Sequence, residues 1–269
     1  MPSSIAATVI YKRPASPAIS VSSCVEASDL PSSVYCSGHP LLQHKMTLLR
    51  DRKTTTRDFR HLMRELTLYL GYEATTEITL KPRVVEGTLG PVAGQKLSDK
   101  IAIVPILRGG LGMVDAMTEI LPNAAVYHIG MFSNHKSSSL PIQYYNRLPK
   151  EKDKVADLTF VLDPLIATAG TCSATVSTLK KWGAKKIVVI GVVGSLQGLH
   201  KLTQAHPDIR VHVASIDEAI SEDGHILPGI GDASERLFTA YGVGEHDDET
   251  SVHTVASAKK RKAGEKNGC

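Results

Sequence analysis

Apolar positions along the chain recur with two different periods. From His61 to Leu70 they fall at Leu62, Leu66 and Leu70, with Met63 and Tyr69 beside them, which is the spacing of one helix face. Thr56 is expected to cap that helix and Gly71 to stop it. Elsewhere the apolar runs are short and nearly unbroken: Ile101–Leu107, Ala124–Gly130, Asp157–Asp163, Lys186–Val193 and Val211–Ala214. These read as buried strands. Between them, Leu111–Leu121 and Ser173–Trp182 read as helices, the second closed by Gly183. Strands that alternate with helices, and whose apolar runs are too continuous for a one-sided sheet, predict an α/β fold. Its parallel sheet is flanked by helices on both faces.

The two ends of the chain lack this patterning. Residues 1–38 are rich in Ser, Ala and Pro and read as a disordered or loosely docked arm. A transit peptide is the weaker reading there, because Arg13 is the only arginine. Residues 244–269 are polar and aperiodic and read as a disordered basic tail. The domain is therefore expected at 39–243.

Composition narrows the class. With 42% hydrophobic and 22% charged residues in 269, the chain is an ordinary globular sequence rather than a collagen-like or wholly disordered one. Its longest apolar run, Ile187–Gly194, is far too short to cross a bilayer, so no membrane association is expected. The net charge of +4 resides in the tail, where Lys259, Lys260, Arg261, Lys262 and Lys266 face one acid, Glu265. Those are five of 31 basic and one of 27 acidic residues, leaving 26 of each. A nucleic-acid partner is thus not expected of the body. Four cysteines without a Cys-x-x-Cys or metal spacing favour a reducing compartment and no protein-held metal. The expected location is cytoplasmic, with Lys259–Lys262 also matching a nuclear import run.

In a parallel sheet, ligands bind beyond the carboxyl ends of the strands. Val161 to Ser173 carries Asp163 out of a buried strand into a loop of small and hydroxyl residues that opens directly into a helix. Free N–H groups at such a helix start, beside the Thr168 and Thr171 hydroxyls, have the form of a phosphate cradle, and Asp163 could accept from ribose hydroxyls. An ordinary strand–loop–helix joint with a Thr cap would read the same way. Pro105 to Met113 delivers Arg108 into a glycine turn, suited to a diphosphate or simply to a surface turn. Gly224 to Arg236 contains Pro-Gly-Ile-Gly-Asp, whose backbone could read a small planar ring edge. As a plain surface loop it would expose Ile226, Leu227 and Ile230 to no purpose.

In this order the segments resemble the uracil phosphoribosyltransferases, a branch of the type I phosphoribosyltransferases, from about His39 to Phe238. The likeness includes His39-Pro-Leu, Thr56-Arg57-x-Phe59-Arg60, Val104 to Met113, Asp163-Pro-Leu-Ile-Ala-Thr168, Ala205-His-Pro-Asp208, Ala214-Ser-Ile-Asp217 and Pro228-Gly-Ile-Gly-Asp232. The resemblance implies a type I-like sheet with a small hood region. It also implies transfer of the phosphoribosyl group of 5-phosphoribosyl 1-diphosphate to uracil, giving UMP and diphosphate. Asp163, Pro164, Leu165, Ile166, Ala167, Thr168, Ala169, Gly170 and Thr171 would hold the ribose hydroxyls and 5′-phosphate. Arg108 would hold the diphosphate, and Ile226, Gly231, Asp232 and Ala233 would read uracil. Arg108, Asp163 and Asp232 are the implied catalytic set. Mg²⁺ would arrive on the substrate's diphosphate. A homodimer or homotetramer is implied. Some relatives respond to GTP, and no residue signature decides whether this chain does.

Departures from the family pattern gather at the ligand loops. An arginine expected after Met131 is Ser133 or Asn134, with Lys136 as the nearby cation. A usual Gly-Gly is Ala169-Gly170, a usual tyrosine is His225, and Ala233-Ser234-Glu235 stands for Ala-Gly-Asp. Ala169 is harmless at negative φ and strained otherwise. These changes motivate the alternative of a weakly active or non-catalytic nucleotide-binding partner subunit. Cys172 reads as a packing residue.

Overall fold

The computed structural model describes residues 30–76, 78–132 and 141–239. In chain order the elements are β1 (Val34–Cys36), α1 (Pro40–Arg50), α2 (Thr56–Ala74), β2 (Leu80–Gly87), β3 (Gly90–Leu97) and β4 (Ile101–Leu107). A 3₁₀ turn (Gly109–Met113) leads into α3 (Val114–Ile120). Next are β5 (Ala125–Val126), β6 (Ile129–Phe132), β7 (Ile142–Asn146), β8 (Leu158–Leu162) and β9 (Leu165–Ile166). The chain closes with α4 (Gly170–Trp182), β10 (Lys186–Ser195), α5 (Leu196–Ala205), β11 (Arg210–Asp217), β12 (Ala219–Ile220), β13 (Ile226–Leu227) and α6 (Ala233–Phe238).

The main sheet runs β1-β11-β10-β8-β4-β6-β7, with β5 beside β4 and β9 beside β10. All of its pairings are parallel except β6 with β7. Alternate residues of each central strand face opposite layers. Leu158, Phe160 and Leu162 of β8, with Val188 and Ile190 of β10, pack under α1, α2, α3 and α6. Val161, Ile187 and Val189 pack on the other side under Cys172, Val176 and Leu179 of α4 and Leu199 and Leu202 of α5. Both faces are buried, which is why the sequence shows unbroken apolar runs there.

Several local expectations change. The N-cap of α2 is Thr55, whose hydroxyl accepts from the Asp58 N–H, and the helix continues through Gly71. Gly71 is there for close packing: a Cβ would lie 2.6 Å from Ile120 Cδ1 and 2.8 Å from Met117 Sδ. The helix expected over Leu111–Leu121 is a 3₁₀ turn followed by α3, and the strand expected over Ala124–Gly130 is divided into β5 and β6. Val34–Cys36, inside the segment read as an arm, pairs with Val211–Val213 as the sheet edge. The remainder of that arm, residues 1–29, and the tail lie outside the described residues. The hairpin of β2 and β3 stands apart from the main sheet, as does the small antiparallel ladder of β12 and β13.

Candidate active site

The carboxyl ends of β4, β8 and β11 lie side by side, because these strands are parallel and separated only by β10. Each ends on a residue with chemistry.

β4 delivers Arg108, which follows a cis Leu107–Arg108 peptide. The guanidinium is 58% exposed and donates to Glu235 Oε1 over 2.9 Å. The two glycines after it are required by close approach. A Cβ on Gly110 would lie 2.4 Å from the Leu162 carbonyl oxygen. One on Gly109 would lie 2.9 Å from Pro164 Cγ and 3.4 Å from Ser234 Oγ. The Arg108 turn is thus in contact with the loop after β8 and with the start of α6.

β8 delivers Asp163 at its mouth. Burial pushes this carboxyl up to about 7, against the pull of a hydrogen bond from the Leu165 N–H. The following loop is pinned from below. Pro164 C=O accepts from Val192 and Val193 N–H, and Leu165–Ile166 pairs with Val193–Gly194. Ala169 takes the N-cap position of α4 at φ 60°, ψ 8°, with no side-chain cap. The sequence left the sign of this φ open, and the outcome is the left-handed one, where a methyl group is strained. Neither Thr168 nor Thr171 caps the helix, so its first N–H groups have no side-chain acceptor. Cys172 is fully buried. Burial and the neighbouring Asp163 charge drive its thiol well above the ordinary range, as suits packing rather than nucleophilic attack.

β11 delivers Asp217, whose motif the sequence contains but whose role it does not show. Its side chain is 5% exposed and accepts from Arg50 over 2.6 and 2.8 Å and from the Gly229 N–H over 2.8 Å. Arg50 also donates to the Gly229 C=O over 2.7 Å and to Ser215 Oγ over 2.8 Å. This half-buried pair fixes the loop after β13, which contains a cis Leu227–Pro228 peptide and left-handed Gly229 and Gly231. Ile226 and Ile230 are buried, while Gly231 and Asp232 are exposed. Asp232 caps α6, its Oδ1 accepting from the Glu235 N–H over 3.0 Å. Arg236 reaches back to the Leu49, Asp51 and Ile230 carbonyls and lies 4.2 Å over the Phe59 ring. His225 is exposed and closes the turn between β12 and β13 through its backbone. Ser133, Asn134 and Lys136 lie outside the described residues. Among the described residues, no cluster of three or more His, Cys, Asp or Glu is placed to hold a metal ion.

Arg50 and Ser195 were not singled out from the sequence, and Glu235 was marked there only as a departure from the family pattern, not as the partner of Arg108. Asp217 and Ser195 each end a buried strand, the same signal that marked Asp163. Arg50 carried none, since its partner is 167 residues away.

A profile of the family "Uracil phosphoribosyltransferase" matches residues 36–240. The uracil phosphoribosyltransferase of a Roseiflexus species (strain RS-1) is 45% identical over 207 residues, 77% of this chain and 98% of its own length. That of Streptococcus salivarius is 42% identical over 201 residues, 74% and 95% of the respective chains. A solved protein from Aquifex aeolicus superposes with a TM-score of 0.71 at 30% identity, covering 76% of this chain and 97% of its own.

Proposed function

The chain belongs to the uracil phosphoribosyltransferase family, and from that premise we propose that its reaction takes place where the ends of β4, β8 and the β13–α6 loop meet. The chain transfers the phosphoribosyl group of 5-phosphoribosyl 1-diphosphate to uracil, forming UMP and diphosphate. A bond forms between the uracil ring nitrogen and the anomeric carbon as the bond from that carbon to the diphosphate oxygen breaks. The nitrogen's proton passes to bulk water.

The single observation that carries the placement is the contact of the Arg108–Gly109 turn with both Pro164 and Ser234. It supports the reading by setting the Arg108 turn against both the loop that leads to α4 and the start of α6. In this reading the N–H groups at the start of α4 hold the 5′-phosphate, with Thr168 and Thr171 hydroxyls beside them. Asp163, ionised, accepts from the ribose hydroxyls. Ile226 and the backbone of Gly231, Asp232 and Ala233 receive uracil. Arg108 exchanges Glu235 for the diphosphate and stabilises the charge that builds on the leaving group. Catalysis is then positioning and electrostatics, and no side chain forms a covalent bond.

Mg²⁺ belongs to the same reading, as the counter-ion of the diphosphate. The exposed carboxylate of Asp232 is a hard oxygen donor of the kind that suits Mg²⁺ and its water shell. When bound, the ion neutralises the leaving group. No helix among the described residues is long and apolar enough to cross a membrane, and we place the chain in the cytoplasm. A homo-oligomer is supported by the β2–β3 hairpin, which exposes Leu80, Val84, Val85, Leu89, Val92 and Leu97.

The test is steady-state kinetics against pH. In the wild type, kcat/KM for phosphoribosyl diphosphate rises with pH through about 7 as Asp163 ionises. Arg108→Ala and Asp163→Asn each lower it by about two orders of magnitude or more, and the residual activity of Asp163→Asn lacks that limb. Near-normal kinetics in both variants would place the site elsewhere.

A further inference from the structure

One helix holds the phosphate loop at two points. At the start of α5, the buried Ser195 hydroxyl donates to the Ala167 C=O over 2.6 Å and accepts from the Gly198 N–H over 2.9 Å. A Cβ on Gly198 would lie 1.9 Å from that same carbonyl oxygen, so helix and loop are in backbone contact. At the other end of α5, its C-cap His206 is 7% exposed. His206 Nε2 lies 3.0 Å from Ser173 Oγ and 3.2 Å from the Ser173 carbonyl oxygen. Ser173 is the residue whose N–H closes the first turn of α4 on the Ala169 C=O. The helix therefore spans the loop from Ala167 to the first turn of α4.

The tautomer of His206 follows from its neighbours. Nδ1 lies 3.3 Å from Lys180 Nζ, and an ammonium can only donate, so Nδ1 carries the lone pair. The ring proton is then on Nε2, directed at the Ser173 carbonyl. Lys180 is held in turn by Asp208, and Ser177 Oγ is the remaining group facing the ring, at 3.5 Å. Burial, and then the Lys180 charge, lower the pKa of His206, with the Ser173 carbonyl and Asp208 pulling the other way. A serine bonded to a histidine invites comparison with a hydrolase nucleophile. Here, however, the far nitrogen faces a cation rather than a carboxylate, so the ring is a poor base and Ser173 is not activated.

We infer that His206 is a positioning residue for the 5′-phosphate: its Nε2–H holds the first turn of α4 so that the Gly170, Thr171 and Cys172 N–H groups stay aimed at the ligand. This rests on the assignment of that turn to the phosphate. Protonating the ring would set a second N–H against the Lys180 ammonium and release the turn.

The test measures KM for both substrates with the full chain, from about pH 5.5 to 8. His206→Ala should raise KM for phosphoribosyl diphosphate about tenfold and leave KM for uracil within about twofold. His206→Gln keeps an N–H donor at the same reach and should restore most of the loss. Because burial and the Lys180 charge lower the His206 pKa, the wild-type rise in that KM on acidification should come below the ordinary imidazole range and be weaker in His206→Gln. The inference fails if both variants match the wild type, or if both KM values move together in proportion to lost stability. Thr171→Val separates the two levels. If it raises KM for phosphoribosyl diphosphate while the His206 variants do not, only the inference falls. If Thr171→Val is silent as well, the phosphate assignment falls and the inference with it.

Discussion

Ala169 carries a methyl group in the left-handed region, at the N-cap of α4. Such a backbone costs an L-residue about 1–2 kcal/mol, and glycine escapes it at the expense of a more flexible unfolded chain. Ala169→Gly should therefore stabilise the protein by about 0.5–1 kcal/mol, read as a higher urea midpoint; a lower midpoint would mean that the loop is relaxed as it stands. The sequence identified this position and its stakes but not its φ, which the pairing of β9 and the start of α4 decide together. Arg108 and Asp163 were legible because each emerges from a buried apolar run. The Arg50–Asp217 pair was not, since nothing local joins two residues whose contact exists only after α1 packs beside β11.

At the scale of elements, β4, β8 and β10 could be read directly, because burial on both faces leaves uninterrupted apolar runs, and most of α4 could be read as the helix that Gly183 closes. α5 was harder to see. It follows β10 without a loop, so no turn separates the helix from the strand. The β2–β3 hairpin gave no alternation, because no face of it is buried within the chain. The hold of α5 on the loop yields a prediction contrary to propensity. Replacing a glycine inside a helix with alanine normally favours the helix, by up to about 1 kcal/mol, and Gly198 lies in the first turn of α5. At Gly198 the added carbon would meet the Ala167 carbonyl. Gly198→Ala should instead lower the melting temperature and raise KM for phosphoribosyl diphosphate; an ordinary gain in stability would show that the contact is loose.

For the whole molecule, the charge of +4 says little about partners, because its excess lies in the last residues and the body is balanced. What the fold leaves open is apolar surface. The β2–β3 hairpin exposes Val84 and Val85 on one strand and Val92 on the other, and a two-stranded ribbon has little stability without a surface to pack on. On the proposed homo-oligomer, Val84→Asp with Val85→Lys should shift the protein to a smaller species in analytical ultracentrifugation. An unchanged sedimentation profile would remove the hairpin from any interface. Chemistry at the sheet's carboxyl edge is tested most directly by one measurement. The full chain is incubated with labelled uracil, phosphoribosyl diphosphate and Mg²⁺, beside folded Arg108→Ala. Rapid formation of labelled UMP by the wild type, reduced at least a hundredfold in the variant, is the predicted result. No UMP from the folded wild type, or equal UMP from both proteins, would contradict it.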